Sequence, residues 1–188
     1  ISTNFSGGNA LIKQISDHGF LVEPDLRNNT EPWFYWCFKL ETPMHHEYTF
    51  TIQKKCMTSK GYATSIDHGL TWQWAAPETF KNNIITYNAP PHTDEVILSM
   101  GMTYTANNWQ HFLQNNPIPA HATIETLCTT RNNRISPILR IAQKRKHCNK
   151  SIITARHHCC EMMASYVLEG MIKTIFQTQD SQSLSNFE

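Results

Sequence analysis

The chain has 188 residues, a formal net charge of +1, 16% charged residues and 40% hydrophobic residues. That length supports one large domain or two small ones with a buried core. The near-neutral balance excludes a nucleic-acid binder held by charge, and no apolar run approaches the roughly 18 residues that a membrane span requires.

The first residues, Ile1-Ser2-Thr3-Asn4-Phe5, contain no basic segment followed by an apolar one, so no signal peptide is read there. Because the chain begins with Ile, the expectation is a processed product, a fragment or a trimmed piece. Six cysteines stand at positions 37, 56, 128, 148, 159 and 160, and their spacing suggests no disulfide framework. A reducing, cytoplasmic compartment is therefore expected. Lys144-Arg145-Lys146 is the one block of like charge and reads as a solvated turn.

In chain order, residues 33–40 form an aromatic-rich strand after Glu31-Pro32. Residues 47–52 alternate polar with apolar, the period of a half-buried strand. Residues 62–66 and 71–74 flank Asp67-His68-Gly69, a hairpin signal. Residues 83–87 and 95–100 add two more strands, with Ala89-Pro90-Pro91 between them. Strands at this spacing predict an antiparallel β-sandwich over residues 1–103.

The pattern then changes. Residues 104–115 read as a helix capped by Thr105, with Trp109, Phe112 and Leu113 on one face. Asn116-Pro117-Ile118-Pro119 ends it, and strands follow at 122–129, 137–141 and 151–155. The spacing predicts a last helix over 162–176. Its stripe of Met163, Val167, Met171 and Ile175, flanked by Ala164, Leu168 and Ile172, is read as core packing. Strands alternating with helices place an α/β domain over residues 104–188. The tail from Gln177 to Glu188 is polar and reads as a loop.

The chemistry gathers at Ala155-Arg156-His157-His158-Cys159-Cys160-Glu161. An imidazole nitrogen and a carboxylate oxygen spaced H-x-x-E can take two positions of a tetrahedral Zn²⁺. The spacing by itself is weak, because ten His among 188 residues, with as many Glu, give about half a match by chance. His92 and Glu95 supply a second match. At the start of a strand, residues three apart point to opposite faces, so that pair reads as structural. His158 and Glu161 lie instead between a strand end and a helix start, where ligand sites of α/β proteins collect and a carboxylate is favoured. A zinc pair, and a Glu helix cap beside a partly buried His, both stand on these grounds. Adjacent residues in a tight turn diverge, which sets His157 aside as a ligand. Arg156 reads as pairing with a carboxylate or bracing the ligand loop.

This segment resembles the zinc carboxypeptidases, most closely their cytosolic carboxypeptidase branch. That branch carries Ala-Arg-x-His-Pro-Gly-Glu and then a helix with Ser-Trp-Val-Met-x-Gly or a close variant. Here the helix has Ser165-Tyr166-Val167-Leu168-Glu169-Gly170, and Cys159-Cys160 replaces Pro-Gly. Phe5-Ser6-Gly7-Gly8-Asn9, Pro24-Asp25, Trp33-Phe34-Tyr35 and the segment from Ser65 to Trp72 are similar to elements of the branch's N-terminal sandwich domain. The resemblance implies Zn²⁺ held by His158 and Glu161, and a peptide or protein C-terminus as substrate. The reaction it implies is hydrolysis by a zinc-activated water. It also implies a second zinc histidine, a carbonyl-polarising arginine and a general-base glutamate further downstream. No histidine follows His158, and no catalytic residue is assigned within the chain. Taken alone, the chain is expected to be inactive and to bind zinc weakly. The competing readings are a protein-binding module with a degenerate carboxypeptidase start, and a redox or metal-storage site on Cys159 and Cys160.

Overall fold

A computed structural model describes residues 1–27, 33–41, 47–53, 56–141 and 151–177. Glu31-Pro32, the basic turn at 144–146, Cys148 and residues 178–188 lie outside that set.

Eleven strands and two α-helices are present among the described residues. A five-stranded sheet holds β1 (Leu11–Ser16), β2 (Gly19–Glu23), β4 (Glu47–Ile52), β8 (Ile84–Asn88) and β7 (Phe80–Lys81), in the order β1-β2-β4-β8-β7. A four-stranded sheet holds β3 (Cys37–Glu41), β9 (Glu95–Ser99), β5 (Ala63–Ser65) and β6 (Gln73–Trp74), in the order β3-β9-β5-β6. Every ladder in these two sheets is antiparallel except β2 on β4, which is parallel.

The alternation read in β4 follows from its place between β2 and β8, where Phe50 and Ile52 are buried. Val22, Phe50 and Ile85 of the larger sheet join Phe38, Leu40, Val96 and Leu98 of the smaller one in a single apolar cluster. The Phe38 and Phe50 rings lie 4.9 Å apart between centroids. Trp36 is fully buried there, and its Nε1 donates to the Cys56 carbonyl at 2.7 Å, so the indole carries no orphaned polar atom. The hairpin signal at 67–69 is met by β5 pairing with β6. In its loop the Asp67 carboxylate accepts from the backbone and hydroxyl of Thr71.

Helix α1 spans Ala106–Asn115. The Asn108 Oδ1 accepts from the Thr105 backbone N–H at 2.8 Å, and Thr105 Oγ1 donates to the same atom at 3.0 Å. The Asn108 side chain thus reaches back to the residue that precedes the helix, as in one half of a capping box. β10 (Ala122–Thr129) and β11 (Ile135–Ile141) form a two-stranded antiparallel sheet. Helix α2 spans Met163–Gln177.

Two sequence expectations are corrected. Residues 151–155 have no ladder partner among the described residues, and Ile152 is 87% exposed. A strand requires a neighbour for its backbone groups, and apolar composition alone does not supply one. The apolar stripe of α2 also divides. Ile172 is buried, whereas Met163, Val167 and Met171 are exposed, because the 163/167/171 row lies on the opposite side of the helix.

By contact the chain forms two compact units. One contains Ile1–Trp109 and Ala155–Tyr166, and the other Gln110–Thr154 and Val167–Glu188. The first holds both larger sheets and the whole 155–161 segment.

Candidate metal centre

The segment leading into α2 turns sharply. Arg156 adopts a left-handed backbone with φ +59°, which an L-residue occupies only when its surroundings hold it there. Its guanidinium donates to the Tyr104 carbonyl oxygen, so Arg156 ties the turn to the residues before α1. Three further contacts fix the start of α2 from the same side. Met162 is buried in the apolar cluster. Tyr166 Oη donates to the Thr103 carbonyl at 2.9 Å, and its ring meets Tyr104 edge-on at 5.1 Å. The backbone then closes, with Glu161 N–H donating to the His158 carbonyl at 3.1 Å.

His158 and Glu161 meet within this turn. The His158 backbone N–H donates to Glu161 Oε2 at 3.0 Å, and His158 Nδ1 lies 2.6 Å from Glu161 Oε1. One carboxylate oxygen thus closes the 158–161 turn, while the other faces the imidazole nitrogen. The alternative of a partly buried His is not met, because the His158 side chain is 60% exposed. The hydrogen bonds from the His158 ring, and then from its backbone, hold the Glu161 carboxyl below the usual carboxylate range. Both side chains are open to solvent, at 60% and 42% exposure.

These two donors suit a zinc ion in kind and in position. Bonds of about 2.1 Å at a tetrahedral angle need the nitrogen and oxygen about 3.4 Å apart. Starting from 2.6 Å, the pair must open by under about 1 Å, which small side-chain rotations provide at an exposed site. Among the described residues no group of three or more His, Cys, Asp or Glu stands together as a metal cluster. His157, Cys159 and Cys160 therefore do not complete the pair. Burial pushes the Cys160 thiol up, and neighbouring Cys159 adds to the effect, which favours the protonated thiol over a ligating thiolate.

The second H-x-x-E match has another use. Glu95 Oε2 accepts from Lys39 Nζ at 2.8 Å, and Glu95 Oε1 lies 3.1 Å from His68 Nδ1. The carboxylate is engaged by other strands and loops rather than turned toward His92. One neighbour of His158 had no signal in the sequence. The Trp33 ring stands 6.0 Å from the His158 ring, tilted by 39°.

The chain superimposes on solved metallo-carboxypeptidases. A metallo-carboxypeptidase from Burkholderia cenocepacia matches at a TM-score of 0.74 and 20% identity, over 95% of this chain and 49% of that one. A metallo-carboxypeptidase from Pseudomonas aeruginosa, in complex with (2-guanidinoethylmercapto)succinic acid, matches at 0.74 and 20% identity, over 100% and 52%.

The chain shares the metallo-carboxypeptidase fold. It spans about half the length of those structures. No family model matches the sequence, and no curated protein matches it. The fold is therefore recognised through its geometry rather than through overall sequence likeness. No helix among the described residues is long and apolar enough to cross a membrane, which says nothing of a β-barrel.

Proposed function

We infer that the chain is the N-terminal part of a zinc metallocarboxypeptidase, nearest the cytosolic branch, that removes C-terminal residues from peptides or proteins. In this reading residues 1–103 are a β-sandwich domain, and residues 104–188 begin the α/β catalytic domain. His158 and Glu161 are two protein ligands of Zn²⁺. The observation that carries the proposal is the 2.6 Å approach of His158 Nδ1 to Glu161 Oε1 in a chain with a metallo-carboxypeptidase fold. A cytoplasmic setting fits the unbridged thiols of Cys37, Cys56, Cys128, Cys159 and Cys160.

Bound zinc would supply Lewis-acid polarisation of the scissile carbonyl and a water of lowered pKa. The chain's own residues hold the donors. Glu161 is anchored to the His158 backbone through Oε2, which leaves Oε1 as its single forward oxygen. Arg156 is committed to the Tyr104 carbonyl, so its part is bracing the loop rather than gripping substrate. A complete active site takes a third protein donor and a general base from polypeptide beyond these 188 residues.

Calorimetric titration of the chain with Zn²⁺ tests the ligand assignment. The expected result is uptake of one ion that His158→Ala and Glu161→Ala each abolish or weaken at least about tenfold. Unchanged uptake in both variants overturns it. A longer polypeptide carrying the remaining donors should release C-terminal residues from a peptide. Zinc uptake without that release would move the reading toward the binding module.

A further inference from the structure

We propose that Trp33 is a positioning residue for the His158 imidazole, so that the N-terminal segment is part of the metal centre. The inference deepens the zinc reading above and rests on it. A solvent-exposed histidine held by one hydrogen bond keeps rotational freedom about that bond. The Nδ1 contact with Glu161 sets where the nitrogen points, but it leaves the ring plane free to swing. Trp33 supplies the missing restraint, because its indole lies 6.0 Å from the imidazole. At this separation, with the planes tilted by 39°, the indole stands within aromatic packing range of the imidazole, which limits the swing without closing the site.

The restraint is effective only if Trp33 is itself fixed, and three contacts fix it. Its ring stacks on Phe34 at 4.9 Å with an interplanar angle of 24°. Its carbonyl accepts from the Cys56 thiol at 3.8 Å. Its body packs against the apolar cluster, and the next residues, Tyr35 and Trp36, are buried. Tyr35 Oη donates to the Gly7 carbonyl at 2.5 Å, and Trp36 Nε1 to the Cys56 carbonyl at 2.7 Å. The indole is thus carried on a rigid stretch that ends in β3. His158 is carried on a turn tied down by Arg156, Met162 and Tyr166.

An apolar face beside a metal-ligating imidazole fixes ring orientation and limits solvent access, and both effects raise metal affinity. Trp33 bears no hydrogen bond to the ligand, so its contribution is geometric. This also explains why a weak two-donor site would depend on it. With few donors, the loss of orientation in one of them falls on the whole affinity.

The test uses the full 188-residue chain and Zn²⁺ alone. In the metal-free protein, nuclear Overhauser contacts between the Trp33 indole protons and the His158 ring protons are expected, with His158→Ala identifying the imidazole signals. Trp33→Leu should shift those imidazole signals and weaken zinc binding about tenfold. Its melting temperature should stay near that of the parent, and Trp33→Phe should recover most of the affinity. Absence of the Overhauser contact overturns the proposal without recourse to any variant. So does unchanged zinc affinity in Trp33→Leu while His158→Ala has lost it. If His158→Ala binds zinc as well as the parent, the metal-centre reading itself fails and this inference falls with it.

Discussion

Tyr166 Oη donates to the Thr103 carbonyl at 2.9 Å, joining residues 63 positions apart. Through this bond the first turn of α2 is pinned to the segment that precedes α1. Glu161 lies five residues before the pin, in the turn that leads into α2. Tyr166→Phe keeps the ring contact with Tyr104 and removes only the hydroxyl, leaving the Thr103 carbonyl without that donor. The expected loss is about 1 kcal/mol of stability, read as a lower denaturant midpoint with an unchanged slope.

Arg156 separates two effects that usually travel together. Arg156→Ala removes the guanidinium from the Tyr104 carbonyl and leaves a residue with a Cβ at φ +59°. A loss of about 2 kcal/mol is expected, because the donor is charged. Arg156→Gly loses the same bond but relieves the left-handed strain, and should recover about 1 kcal/mol of it. Equal melting temperatures for the two variants would mean that the backbone there carries no strain.

Glu95 sets an acid limit on the four-stranded sheet. Burial by itself raises its carboxyl, but the hydrogen bonds from Lys39 and then His68 outweigh burial and hold it below the usual range. A carboxyl depressed in the folded state contributes stability above its unfolded pKa of about 4.3 and loses it as pH falls through the folded value. Thermal unfolding followed from pH 6 down to pH 3 should therefore show a declining limb. Glu95→Gln should be less stable at pH 6 and decline less steeply toward acid.

The thiols should react in order of exposure. Cys159 and Cys128 are exposed, Cys160 is half-buried, and Cys37 and Cys56 are buried. Burial pushes the Cys37 thiol up to about 11, which leaves almost no thiolate near neutrality. A thiol reagent at pH 7 should label Cys159 before Cys160, and reach Cys37 only on unfolding. Prior zinc loading should leave Cys159 reactive, because the cysteines are not ligands in the proposed site.

Much of the local structure was legible because it rests on local patterns. The 47–52 alternation became β4, and the 122–129 run became β10. The Thr105 start became α1, with the Asn108 side chain reaching back to Thr105. The β1–β2 hairpin carries little signal because β1, with Lys13, Gln14 and Ser16, has little apolar periodicity. Its partner β2 takes its burial from the neighbouring parallel β4. Residues 151–155 and the outer row of α2 depart from the sequence expectation for a related reason. Apolar composition reports a capacity to be buried, and burial also needs a surface opposite.

The sequence by itself determined the local chemistry of this protein. An imidazole and a carboxylate three residues apart at a helix start must lie close together, whatever the rest of the chain does. Only the tertiary structure separated the two H-x-x-E matches. Glu95 was taken up by Lys39 and His68, which are 56 and 27 residues away, while Glu161 kept its oxygen against His158. Only the tertiary structure brought Trp33 to the imidazole. Contacts between residues far apart in the chain depend on how sheets and turns close, and no spacing within a motif encodes them.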